Sequence, residues 1–360
     1  MDNADDPTVV FDDKGRCSYC IRAYREMPAV YFPNDEGKRR LDALLAKVRE
    51  EGRKKKYDCI MGISGGLDSS YLAYLGYTWG LRVFAVHVDD GFDTEISKSN
   101  ISRLIDRTGF DYEVITPDPT QYNALIKAYL KAGVPNITAP QDNVLFAFLY
   151  DKMKRNKIKY FLSGGNFALE SIVMQGNSHS ASDVINIKDI AERFDPEPID
   201  RLRFISSARR QINDRLLGIK SPRPLNYIDY NRERAFAELA DFCGFEYYGR
   251  KHLENILTAF VQLYWLPVKF GADKRKAHLS SMIVSGQMTR DEALCELAEP
   301  LYDHGMMEDY IRVIKERLTI SDAEFNAIME AQPRQHDYYK VEDTTVSFRV
   351  LNYLYWKLKR

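Results

Sequence analysis

The residues Ile63-Ser64-Gly65-Gly66-Leu67-Asp68-Ser69-Ser70 bring glycines, hydroxyls and one carboxylate into a single short turn. The apolar run Tyr57–Ile63 before it reads as a buried strand, and Ser70–Trp79 after it as a helix. Glycine lets the backbone approach a ligand closely and take positive φ, here at Gly65 and Gly66. A helix start adds unpaired N–H groups and the positive end of the helix dipole. With the hydroxyls of Ser64, Ser69 and Ser70, these groups make an anion site sized for phosphates. Asp68 beside a phosphate is repelled unless a cation such as Mg2+ bridges the two. The lysine-bearing pattern G-x-x-x-x-G-K-[ST] is absent, so this is a different phosphate loop. The competing reading is an ordinary Gly-Ser turn capped by Asp68.

Regular elements must position that turn. Leu81–Val88 reads as a second buried strand ending at Asp89-Asp90, and Tyr112–Thr116 as a third. Lys159–Ser163 reads as a fourth strand, ending in a second glycine turn, Gly164-Gly165-Asn166. Helical stretches separate them, around 96–108, 121–132 and 143–156. Strands alternating with helices predict an α/β fold with a doubly wound, mostly parallel sheet, and ligands bind beyond the carboxyl ends of such strands. Residues 187–220 read as helical, Pro224–Asp229 as a further strand, and the chain from Asn231 onward as almost all helix. The expected division is a small N-terminal element (1–35), the sheet domain (36–230) and a helical C-terminal region (231–360). That last region would serve as a lid or a dimer interface, and the pattern chooses neither.

Composition excludes several classes. In 360 residues, 51 Lys and Arg face 52 Asp and Glu, a formal charge of −1. That balance argues against a surface built to coat nucleic acid or anionic lipid. Mean hydropathy is −0.41, and no apolar run approaches the ~20 residues of a bilayer span. The acidic start lacks the pattern of a secretory signal, so a cytoplasmic location is expected. Five cysteines in a chain this long are no disulfide framework. Cys59, Cys243 and Cys295 have no evident base or cationic neighbour, so none reads as a nucleophilic thiol.

The pattern S-G-G-x-D-S resembles the PP-loop of the N-type ATP pyrophosphatases. Three further stretches narrow the likeness to the N-acetyl sugar amidotransferases: Lys159–Ser171, Tyr248-Gly-Arg-Lys-His252-Leu-Glu254, and Leu266–Ser280 with Ser285-Gly286-Gln287-Met-Thr-Arg290. The likeness runs from Val9 to about Tyr339. It implies ATP and Mg2+ as cofactors, with pyrophosphate in the Ser64–Ser70 loop, Mg2+ partly on Asp68, and Asp89, Gly164 and Gly165 framing the nucleotide. It implies conversion of a sugar acetamido group to an acetamidino group through an adenylate that ammonia attacks. Lys269, Lys274 and Arg275 would stabilise the phosphates, and Glu170 would meet sugar or ammonium. Asn166, His252, Glu254, Asp273 and His278 are candidates for sugar binding, with core, capping or structural roles as their alternatives. Ammonia is expected from a separate glutaminase subunit or as free ammonium. The sugar is expected on a nucleotide or lipid carrier, in O-antigen or nonulosonate chemistry.

Cys17-Ser-Tyr-Cys20 is half of a zinc knuckle, and the family's usual earlier pair is not seen in this sequence. Its alternative is two unpaired thiols on an N-terminal arm. Two other functions remain at this stage, a PP-loop tRNA-modifying enzyme of the thiolase kind and a non-catalytic ATP-binding subunit. Net charge −1 and the lack of a cysteine near either glycine turn count against the first. The Asp68 and serine loop counts against the second.

Overall fold

The computed structural model describes residues 1–195, 198–249 and 253–344. Three parallel strands, β1 (Cys59–Gly62), β2 (Val83–Val88) and β3 (Asp111–Ile115), pair in the order β1-β2-β3. The register sets Ile60 beside Phe84 and Ala85 beside Tyr112. Two short extended segments continue the ladder beyond β1. Ile60 N–H donates to the Tyr160 carbonyl (2.9 Å) and Leu162 N–H to that of Ile60 (3.0 Å). Phe161 and Ser163 N–H groups donate onward to Lys220 (2.9 Å) and Pro222 (3.0 Å). The strand expected over 159–163 is therefore present as this parallel bridge. The strand expected at Pro224–Asp229 is instead a 3-10 turn, Pro224–Tyr227. Pro222 and Pro224 have no N–H for a ladder, so pairing stops at that point.

The chain builds outward from β1 to β2 and β3 and then returns to the other side of β1 with the parallel 160–162 segment, and this switch in strand order places a crevice at the ends of β1 and that segment. Alternate residues face opposite sides, the period of two expected of a strand. Cys59, Met61, Val83 and Ala85 join one apolar cluster, and Ile60, Phe84 and Val86 the other. Both faces are covered, as a doubly wound sheet requires.

The helices follow in chain order. α1 (Ser18–Val30) and α2 (Asp35–Gly52) precede β1. α3 (Leu67–Thr78) leaves the first glycine turn, and α4 (Glu95–Thr108) links β2 to β3. α5 (Pro119–Ala132) and α6 (Ala139–Arg155) follow the sheet, and α7 (Phe167–Glu170) leaves the second glycine turn. α8 (Val184–Phe194) and α9 (Ser207–Leu216) occupy the stretch read as helical. Beyond it lie α10 (Arg232–Cys243), α11 (Ile256–Phe260), α12 (Leu266–Phe270), α13 (Arg275–Val284), α14 (Arg290–Ala298), α15 (His304–Leu318) and α16 (Asp322–Glu330). A π-turn, Val261–Trp265, joins α11 to α12 without a break. Trp265 is fully buried there and donates its indole N–H to the Val134 carbonyl at 2.9 Å.

The N-terminal arm, read as a separate element, is stitched to the rest. Buried Asp6 accepts from the Tyr19 hydroxyl (2.9 Å) and the Gly176 N–H (3.2 Å). Lys276 on α13 reaches Asp2 (2.6 Å) and Asp5 (2.7 Å). Among the described residues, no helix is long and apolar enough to cross a membrane.

Candidate functional site

A cavity of about 430 Å3 opens at the carboxyl edge of the strands, within the range of small-molecule sites. The first glycine turn contributes Ser64, Gly66, Leu67, Asp68 and Ser69, and the second contributes Gly164 and Gly165. The two turns touch. A Cβ on Gly164 would sit 3.2 Å from the Asp68 carbonyl and the Ser69 nitrogen. A Cβ on Gly66 would press on Glu254 Oε1 at 2.5 Å. Gly65 has φ +75 and packs on Ser97, so it shapes the turn without lining the cavity.

Hydroxyls satisfy the loop's own backbone. Ser64 and Ser69 hydroxyls pair at 3.0 Å, Gly66 N–H donates to Ser64 Oγ (3.2 Å), and Ser69 Oγ donates to the Gly66 carbonyl (3.2 Å). The Leu67 N–H, first in α3, donates to the Tyr248 hydroxyl at 2.8 Å. Asp68 accepts from the Tyr230 hydroxyl. Tyr230 is buried, and burial together with the Asp68 carboxylate holds its phenol well above the ordinary range.

This arrangement fits a nucleotide triphosphate with a divalent cation. Glycines let the two turns and Glu254 close in around the cavity, hydroxyls and a helix start line it, and Asp68 lines it as a carboxylate suited to the ion. Ser70, expected among the ligands, is fully buried inside α3 and does not reach the cavity.

Reading by turns missed the pairing of His87 with Asp93. His87 on β2 places Nδ1 2.8 Å from the Ile63 carbonyl and Nε2 2.8 Å from Asp93 Oδ2. Both partners are acceptors, so this geometry suits the doubly protonated ring. Burial lowers its pKa, but the Asp93 carboxylate, the Ile63 carbonyl and Asp89 outweigh it, and the net shift is upward. Asp89 itself accepts from Gly91 N–H (2.8 Å) and does not line the cavity. Its neighbour Asp90 accepts from Tyr122 (3.2 Å), Gln141 (2.6 Å) and Asn255 (3.1 Å). Burial pushes the Asp90 carboxyl up to about 6. Gln141 and Asn255 both line the cavity, so Asp90 positions its wall from behind. The signal in the sequence was polar residues ending an apolar strand, and it did not say which of them turn inward.

Glu170, Lys274, His278 and Glu254 are brought together at the cavity wall. Burial lowers the Lys274 pKa, opposed by the carboxylates Asp142 and Glu170. His278 Nδ1 lies 3.1 Å from the Leu169 carbonyl, so that nitrogen carries a proton and donates there. Glu170 Oε2 accepts from Asn166 N–H at 3.3 Å.

Other expected residues lie elsewhere. Lys269 donates to the carbonyls of Ile328 (2.7 Å) and Ala331 (2.6 Å), closing the end of α16. Arg275 is locked on Asp273 (2.7 Å) and on the carbonyls that end α14, including Glu299 (3.0 Å). Asp273 also takes its backbone N–H to Asp5 (2.9 Å), so it serves the N-terminal arm. Asn166 caps α7 through Leu169 N–H (2.9 Å) and steadies the Gly164 carbonyl (3.2 Å). A basic cluster in sequence does not say which cations find carbonyls first. His252 lies outside the described residues.

Cys17 accepts from the Cys20 N–H at 3.3 Å and caps α1. A hydrogen bond from the Cys20 thiol brings the Cys17 thiol down to about 6 against the pull of burial. Among the described residues no group of three or more His, Cys, Asp or Glu is placed to hold a metal. Two thiols do not fill the four positions of structural zinc.

A second cavity, of about 280 Å3, shares Glu170, Arg232, Gln262, Lys274 and His278 with the first. Gln262 reaches both from the π-turn, a local distortion often found at functional sites.

Residues 254–355 match the family model described as LPS biosynthesis protein WbpG-like, C-terminal domain. No curated protein sequence matches the chain significantly. Among solved structures, an NH3-dependent NAD synthetase from Campylobacter jejuni is 13% identical with a TM-score of 0.35, covering 83% of this chain and 98% of its own. An NMN synthetase from Francisella tularensis is 13% identical with a TM-score of 0.32, covering 71% and 95%. Likeness of that degree bears on neither activity nor ligand.

Proposed function

We propose that this chain, whose residues 254–355 match the model of the WbpG-like C-terminal domain of lipopolysaccharide biosynthesis proteins, is an ATP-dependent amidotransferase acting on an N-acetyl sugar. The observation that carries the reading is the contact of the two glycine turns, Gly164 on Asp68 and Ser69, over one cavity. ATP lies there with its pyrophosphate end on the Ser64–Ser69 turn and the start of α3. Mg2+, held through Asp68, would neutralise the phosphates.

An amide oxygen is a poor leaving group, and adenylation makes it a good one. The acetamido oxygen attacks the α-phosphorus and pyrophosphate leaves. Ammonia then adds to the activated carbon, and AMP departs with the original oxygen. Lys274 supplies positive charge near the phosphates. Glu170 orients the acetamido nitrogen or the incoming ammonium. His278, at the same wall as Glu170 and Lys274, is placed to meet the sugar. Ammonia comes from a separate glutaminase or from solution. We divide the chain at about residues 35 and 230, with the helical region closing over the sugar.

The test is pyrophosphate release from ATP with Mg2+ and ammonium chloride, across nucleotide-linked N-acetyl sugars, with products read by mass spectrometry. The expected result is release that requires a sugar, with a product in which NH replaces O. Release that requires tRNA instead, or ATP binding with no release from any sugar, would overturn the reading.

A further inference from the structure

We infer that the second cavity is the acceptor subsite, and that Arg223 and Arg232 recognise an anionic group on the acceptor, a diphosphate or a carboxylate. This rests on the reading of the first cavity as the ATP site.

Two guanidinium groups at the second cavity are open to a ligand. Arg223 and Arg232 both line the second cavity. Neither guanidinium has an acceptor within hydrogen-bond or ion-pair distance among the described residues. Arg275 on the same wall is the contrast, since Asp273 and the carbonyls of Glu296, Leu297 and Glu299 take its donors. Lys274 at the shared wall likewise has no hydrogen-bonded partner for its ammonium among the described residues. Three cations thus face two lining carboxylates, Glu170 and Glu296. A guanidinium carries five donors in a planar fork, a shape matched to phosphate and carboxylate oxygens.

The backbone holds both arginines in place. Arg232 opens α10, two residues after the Tyr230 that bonds Asp68, and its N–H donates to Gln287 Oε1 at 3.1 Å. Arg223 lies over the second glycine turn, where a Cβ on Gly165 would be 3.6 Å from its Nε. Ile172, Met174 and Leu263, all buried, give the cavity an apolar floor. An acceptor anchored by its anion here would present its acetamido group at Glu170, Lys274 and His278, the residues that face the ATP cavity.

The experiment is equilibrium binding to the full chain saturated with a non-hydrolysable ATP analogue and Mg2+. The probes are UDP, UDP-N-acetylglucosamine, N-acetylneuraminic acid and neutral N-acetylglucosamine. At least one anionic probe is expected to bind about tenfold or more tighter than N-acetylglucosamine, and Arg223→Gln and Arg232→Gln each to weaken it about tenfold or more. The ATP analogue should bind Arg223→Gln, which lies outside the first cavity, as it binds the parent. Tight UDP compounds identify a diphosphate, and tight N-acetylneuraminate a carboxylate. Neutral and charged probes binding alike, or anions binding both variants as well as the parent, would overturn the proposal. Arg-dependent anion binding without any binding of the ATP analogue would instead sink the ATP reading and leave the subsite standing.

Discussion

Asp68 shows how much a single residue depends on its support. Its carboxylate lines the first cavity and accepts from the buried Tyr230 hydroxyl. Asp68→Asn keeps the shape and removes the charge, so pyrophosphate release should fall to background while the melting temperature stays near the parent's. Tyr230→Phe keeps Asp68 charged and removes only the donor that orients it. A lost hydrogen bond to a charged group is worth roughly 1.5–3 kcal/mol. The Mg2+ concentration for half-maximal release should therefore rise about tenfold or more, with a smaller change in maximal rate. A Mg2+ titration of both variants reads this split, and an unshifted titration for Tyr230→Phe would reduce that tyrosine to packing. The two lysines of the basic motif separate in the same way. Lys274→Met should cut turnover with little loss of stability, because its ammonium faces the cavities. Lys269→Met should leave turnover intact and cost roughly 1–3 kcal/mol of stability, because it strands the carbonyls at the end of α16. Equal effects of the two changes on rate would overturn that assignment.

At the scale of elements, the sheet was readable because apolar runs bounded by turns have few alternatives. β1 and β2 fall within the expected stretches, and β3 and α3 through α6 overlap theirs with ends shifted by a few residues. The glycine turns were readable because a strand–turn–helix sequence rich in glycine and serine has a narrow set of physical uses. What stayed hidden was long-range pairing. Nothing near Lys269 or Arg275 in the chain announces the carbonyls of α16 and α14 that claim them. Nothing near His336 announces its partners either. Its Nδ1 donates to Asn186 (2.8 Å), its Nε2 accepts from Asn136 N–H (3.4 Å), and its ring stacks on His179 at 4.3 Å. Burial and His179 lower its pKa from 6.5 to about 3. A histidine held neutral in the fold binds its proton more readily when unfolded. Its contribution is therefore complete above about pH 6.5 and declines as pH falls towards 3. Between pH 7 and 5 the loss should reach about 2 kcal/mol. Denaturant midpoints at the two pH values read it, and His336→Gln should flatten that part of the slope. An unchanged slope would move the acid sensitivity to another group.

At the scale of the whole molecule, the N-terminal arm and the second cavity are one mechanical unit. Asp6 is fully buried and holds Gly176 N–H at 3.2 Å, while the Tyr19 hydroxyl takes Gln175 N–H at 2.9 Å. Those bonds hold the irregular stretch whose Ile172, Val173 and Met174 line the cavity. The backbone comes so close that a Cβ on Gly176 would meet Asp6 Oδ1 at 2.6 Å. The first cavity has residues of β1, β2 and the glycine turns in its wall, and these bonds of the arm do not reach them. Asp6→Asn keeps the volume but replaces an acceptor-only carboxylate with an amide that turns a donor towards the Gly176 or Tyr19 donors. Two effects should follow together. Amide hydrogen exchange at residues 172–177 should quicken about tenfold or more, as local opening becomes easier by roughly 1–3 kcal/mol. The KM for the sugar should rise, while the KM for ATP stays put, because only one of the two cavities loses a wall. Exchange that quickens across the sheet as well would mean that the arm supports the fold at large. Exchange unchanged at 172–177 would mean that it supports neither cavity.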